Sequence, residues 1–175
     1  IFAVRGEEMQ KAVENSNTTM AAVLTSDLET TIEEIEKLNN QGIQIWISNF
    51  NDPSQIVISS YIDDMNYLKS NPKALGAKRV IPLEVAGAFH TEIVSSAKKP
   101  LEDTLNEIDI SQGKIPVYMN VDAKKVEVST LKENLVNQID SSVLLAPAPL
   151  RKSSSHANVG GAARAVTARP TSPPK

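Results

Sequence analysis

Two hydrophobic periods alternate along this chain. Thr18–Leu24 (TTMAAVL) is a short apolar run and reads as a buried strand. Ser26, Asp27, Leu28 and Glu29 then read as a capping box, with Ser26 at the N-cap and Glu29 at N3. Leu28, Ile32, Ile35 and Leu38 follow at helical spacing, and Gly42 closes the segment. Gln44–Phe50 alternates as a strand, and Gln55–Tyr61 is another. Asn51, Asp52, Pro53 and Ser54 between them form a turn in which Pro53 presets φ. Ile62, Met65 and Leu68 open a second helix, and Pro72 ends or interrupts it. Lys78–Val85 reads as a fourth strand, and Pro82 inside it predicts a sheet edge.

The order over about residues 18–86 is therefore β-α-β-β-α-β, the ferredoxin-like split arrangement of an α/β fold. The segments outside it do not close a domain by themselves. A short helix is expected through Arg5–Val13. A long one is expected over 91–108, with Ile93, Ala97, Leu101, Leu105 and Ile108 on one face. Ile115–Val121 (IPVYMNV) reads as a strand of parallel-sheet character, and Leu131, Leu135 and Ile139 mark a last helix. One strand between two helices is not a sheet, so these pieces are expected to belong to a second domain that is largely missing.

Composition narrows the classes. A chain of 175 residues is about one domain. It holds no Cys, which excludes disulfides, zinc–thiolate sites and a cysteine nucleophile. No apolar run is long enough to span a membrane. The first residue is Ile1, which suggests a processed or incomplete N-terminus. The net charge of −3 is unevenly spread. All 21 acidic residues but only 13 of the 18 basic ones lie in residues 1–140, which therefore carry −8. Arg151, Lys152, Arg164, Arg169 and Lys175 give the remainder +5. An acidic body argues against a nucleic-acid partner. Residues 144–175 are rich in Ala, Pro, Ser and Gly, have no period, and are expected to be a disordered tail.

The candidate chemistry gathers at VAGAFHTEIV, residues 85–94. A histidine there stands where a strand ends, after Gly87, Ala88 and Phe89, and just before a helical pattern. Without further context His90 is a base or a core histidine, and Arg5 is a solvated surface charge. Asn51 and Gln55 are plain turn residues on the same footing. Asp63 and Asp64 read as a helix start rather than a metal site, because no third ligand stands nearby.

Five motifs in register change that reading. VRGEEMQ, NFNDPSQIVIS, LGAKRVIPLEVAGAFHTEIV, IPVYMNVDA and LVNQI occur in this order. Together they resemble the malonyl-CoA:acyl carrier protein transacylases and the related acyltransferase domains of polyketide synthases, over about residues 3–143. The resemblance implies a ferredoxin-like small subdomain (18–86) inserted into a partial α/β-hydrolase-like acyltransferase core (1–17 and 87–143). It implies that His90 is the catalytic base and that Arg5 holds the malonyl carboxylate. It implies that Gln138 orients the histidine through its main-chain carbonyl, and that Asn51 and Gln55 lie in a substrate-binding turn. The expected reaction moves malonyl from coenzyme A to the phosphopantetheine thiol of acyl carrier protein by a Ser–His relay. Malonyl-CoA and acyl carrier protein are the expected partners, with no metal, no redox cofactor and no membrane, and a monomer is expected.

The chain departs from that family at more than one place. Its nucleophile stands in a G-x-S-x-G elbow, and no such motif occurs in these 175 residues. The N-terminal glutamine loop that helps form the oxyanion hole is also absent. The chain is therefore expected to be a fragment, inactive alone. A carrier-protein docking module, a polyketide-synthase acyltransferase fragment and a ferredoxin-like regulatory domain are the alternatives.

Overall fold

The computed structural model describes residues 1–111 and 113–145. Its centre is a five-stranded sheet in the order β4 (Arg79–Pro82), β1 (Thr18–Leu24), β3 (Gln55–Tyr61), β2 (Ile45–Asp52), β7 (Val143–Leu144). The first four strands pair antiparallel, and β7 runs parallel to β2. The two-residue link at Pro53 and Ser54 joins β2 to β3. Asp52 holds the turn by accepting from the Ser54 amide at 2.8 Å, an Asx turn.

Helices α2 (Leu28–Asn40) and α3 (Ile62–Ser70) cover one face of the sheet. Ala21, Val23, Ile45, Ile47, Ile56, Ile58 and Val80 project from the strands into a core with Ile35, Leu38, Met65 and Leu68. That alternation is the period-2 pattern of a sheet meeting the helical period of its cover. Asp63 and Asp64 sit in the first turn of α3, where Asp64 accepts from the Gln44 amide at 3.1 Å. The opposite face also buries Met20, Ala22, Trp46 and Val57.

A second apolar cluster lies apart from the first. Helix α1 (Phe2–Val13), a 3-10 segment at Glu92–Ala97, helix α4 (Lys98–Asn106) and Ile139 beyond helix α5 (Val128–Asn137) build it. Met9, Val13, Val94, Ala97, Leu101 and Leu105 fill it.

Several expectations need correction. Asp27, not Ser26, caps α2: its carboxylate accepts from Thr30 N at 3.1 Å and Thr30 Oγ1 at 2.7 Å. A carboxylate is favoured there because it also meets the positive end of the helix dipole. Residues 91–108 are not one α-helix. The 3-10 segment precedes α4, which places Pro100 in the first α-helical turn, where its missing N–H costs nothing. Ile115–Val121 does not form a parallel strand. Only Tyr118–Met119 (β5) pairs, antiparallel to Lys124–Lys125 (β6), through a turn in which Ala123 has φ 56°. Ile115, Val117 and Tyr118 remain exposed. The fourth strand is shorter than Lys78–Val85, although it does lie at the edge. Leu144 belongs to β7 rather than to a tail, and the Leu145 amide reaches Phe50 O at 2.9 Å. The disordered-tail expectation for residues 146–175 lies outside the described residues.

Candidate active site

His90 stands on a corner that is held from both sides. Ala88 donates its amide to Thr18 Oγ1 on β1 at 3.0 Å, and Thr91 Oγ1 donates to Ala88 O at 2.8 Å. Thr91 is buried and also caps the 3-10 segment that follows, accepting from Ile93 N at 3.3 Å. Gly87 is required by close approach: a Cβ there would lie 2.6 Å from Val13 Cβ of α1. Between these fixed points His90 takes φ 60°, in the left-handed region that few non-glycine residues adopt. Trp46 Nε1 on β2 donates to Glu92 Oε1 at 3.2 Å and ties the corner to the sheet.

The imidazole meets the turn after α5. His90 Nδ1 lies 3.0 Å from the main-chain oxygen of Gln138. A carbonyl only accepts, so this bond requires Nδ1–H and leaves the Nε2 lone pair free to take a proton. Lys98 steadies the turn, reaching Asp140 at 3.0 Å and Asn137 Oδ1 at 3.2 Å. Burial pushes the His90 pKa below its ordinary value. The Gln138 bond opposes that shift, and the nearby Arg5 charge adds to it. The ring is therefore neutral at neutral pH, the charge state that a base needs.

Arg5 projects from α1 to the same place. Its Nη2 donates to Gln138 Oε1 at 2.6 Å, while Gln138 Nε2 lies 3.3 Å from His90 Nδ1. Burial lowers the Arg5 pKa, though a guanidinium keeps its charge. The structure thus brings together Arg5, His90 and Gln138, three residues separated by as many as 133 positions. The side chain of Gln138, which bridges the other two, was not anticipated, nor were Thr18 and Thr91. Only Thr91, a hydroxyl residue directly before a helical pattern, carried a local signal.

Asn51 and Gln55 are not brought to this cluster. Gln55 opens β3 opposite Leu24, whereas Thr18, which holds the His90 corner, lies at the other end of β1. Six residue-to-residue steps along the strand separate those ends, about 20 Å. Asn51 is the next-to-last residue of β2, beside the turn, and its Oδ1 is buried without a partner among the described residues.

The chain is 38% identical over 140 residues to the malonyl CoA-acyl carrier protein transacylase of Bacillus subtilis strain 168, which covers 79% of this chain and 44% of the relative. By sequence and fold, the chain is a relative of the malonyl CoA-acyl carrier protein transacylases over part of their length. The fold of an acyl carrier protein S-malonyltransferase from Vibrio cholerae matches with TM-score 0.71 and 31% identity, over 81% of this chain and 46% of that one. A malonyl-transacylase solved in complex with a type II PKS acyl-carrier protein matches equally, with TM-score 0.71 and 30% identity over 81% of this chain and 46% of that one. No family model matches the chain. The chain spans about half the length of these transacylases.

Proposed function

We propose that this chain carries the base and the carboxylate clamp of a malonyl transferase acting between coenzyme A and acyl carrier protein. The observation that carries the reading is the His90–Gln138–Arg5 cluster, found in a chain whose relatives are transacylases of that name. In this reading His90 Nε2 takes the proton of a serine hydroxyl as its oxygen attacks the malonyl thioester. The tetrahedral adduct collapses and re-forms the carbonyl, the coenzyme A sulfur leaves and accepts the proton from His90, and a malonyl ester remains on the serine. His90 then deprotonates the phosphopantetheine thiol of the carrier, which takes the malonyl group and regenerates the serine. The Gln138 carbonyl performs the orienting task that an aspartate performs in the usual triad. Arg5 holds the malonyl carboxylate with paired charge-assisted hydrogen bonds, and an acetyl group would leave it unpaired.

The fold fits a ferredoxin-like small subdomain over 18–86, with the strand order β4-β1-β3-β2 in its support, set into part of an α/β-hydrolase-like core. The reading needs no metal or redox cofactor. A binding role for Asn51 and Gln55 rests on the motif alone. No G-x-S-x-G elbow lies in these residues, so the serine must come from polypeptide outside them. Incubating the purified chain with radiolabelled malonyl-CoA tests this. The expected result is no hydroxylamine-sensitive label on the chain; covalent label would show a nucleophile within it and overturn the division of labour.

A further inference from the structure

Gln138 offers His90 Nδ1 two opposite partners. Its main-chain oxygen, at 3.0 Å, accepts and requires Nδ1–H. Its side-chain amide nitrogen, at 3.3 Å, donates and requires an Nδ1 lone pair, which places the proton on Nε2. One ring nitrogen cannot serve both. Arg5 decides which end of the amide faces the ring. A guanidinium only donates, so Gln138 Oε1 must turn to Arg5, at 2.6 Å, and the NH2 group must turn toward the imidazole.

Each tautomer has a different use. With the proton on Nδ1, Nε2 is a free base. With the proton on Nε2, the ring can accept nothing there. The pinned amide therefore sets a donor against the base-competent tautomer, and the shorter main-chain bond works against that donor. A carboxylate that engages Arg5 competes for the same N–H groups with a stronger, charged acceptor. Gln138 Oε1 is then released, the amide is free to rotate, and only the main-chain oxygen still addresses Nδ1.

We propose that Arg5 and the Gln138 side chain form a tautomer switch on His90, thrown by the carboxylate of an acyl ligand. The trigger rests on the transacylase reading; the coupling between Arg5 and His90 does not. Gln138 thus acts as a positioning residue by its side chain as well as by its carbonyl. The switch ties the availability of the base to the presence of the acyl group that Arg5 selects.

Long-range 1H–15N correlation spectra of the histidine rings read the tautomer directly, at about pH 8, where the ring is neutral. An H156Q substitution assigns the resonances. In the ligand-free chain, R5M and Q138M should both move the ring nitrogens of His90 toward the Nδ1–H pattern relative to wild type; Q138M keeps the main-chain oxygen. Monomethyl malonate should move wild type the same way and leave Q138M unmoved, and methyl acetate should do nothing. Identical wild-type and variant spectra without ligand overturn the switch. Variants that shift while monomethyl malonate leaves wild type unchanged overturn the carboxylate trigger, but neither the coupling nor the transacylase reading, which the activity of a complete transferase tests.

Discussion

His90 and Gln138 lie 48 residues apart in sequence, yet the ring Nδ1 of one is 3.0 Å from the main-chain oxygen of the other. The contact joins the corner after the edge strand to the turn after α5. It sets the two properties a base needs, a fixed ring and a free Nε2.

The first consequence is a pH dependence of stability. The folded pKa of His90 lies below its unfolded value, chiefly through burial. The unfolded chain therefore binds more protons between those two values, and stability rises with pH there. Stability is in full force above about pH 6.5 and falls as pH drops through the folded value. Thermal melts from pH 8 to pH 5 should show that loss, and H90Q should flatten it. An unchanged slope in H90Q would assign the effect to other groups.

The second concerns Gly87. An added Cβ meets Val13 Cβ at 2.6 Å, and Val13 is buried in the α1 cluster, so it has little room to yield. G87A should cost about 1–3 kcal/mol in urea unfolding, as overpacking does. A smaller residue at the other side of the contact should recover part of the loss. If V13A combined with G87A is no more stable than the sum of the two single losses, the clash is not the cause.

The sheet was legible in the sequence where a strand or helix had a full apolar period of its own. Thr18–Leu24 and Gln55–Tyr61 form strands over those same residues, because the buried runs are bounded by clear turn chemistry. Periodicity failed where neighbours decide. Nothing in IPVYMNV distinguishes a buried strand from an exposed hairpin, and β7 has only two paired residues, too few for any pattern. The α4 region misled because apolar spacing ran through Pro100 without registering the missing N–H. At the site, His90, Arg5 and the Gln138 carbonyl were named from family motifs, not from physical pattern. The Gln138 amide bridge depends on side-chain orientation across three distant segments, which no local spacing encodes.

The third prediction concerns acyl choice. It needs a complete transferase, made by replacing the matched 140 residues of the Bacillus subtilis relative with those of this chain. In that chimera R5M should lower kcat/KM for malonyl-CoA by about 10²-fold or more, since it removes charge-assisted hydrogen bonds to the carboxylate. Acetyl transfer, which has no carboxylate to lose, should change by less than about threefold on the same grounds. Equal losses on both substrates would assign Arg5 to the framework rather than to the acyl group.

The same chimera tests the role of His90 most directly, by the rate of malonyl transfer from malonyl-CoA to acyl carrier protein. Transfer should be measurable with the native residue and fall by about 10³-fold or more in H90A. The thermal melt of H90A should remain that of a folded protein. A folded H90A chimera that transfers malonyl as fast as its parent would contradict the assignment of His90 as the base.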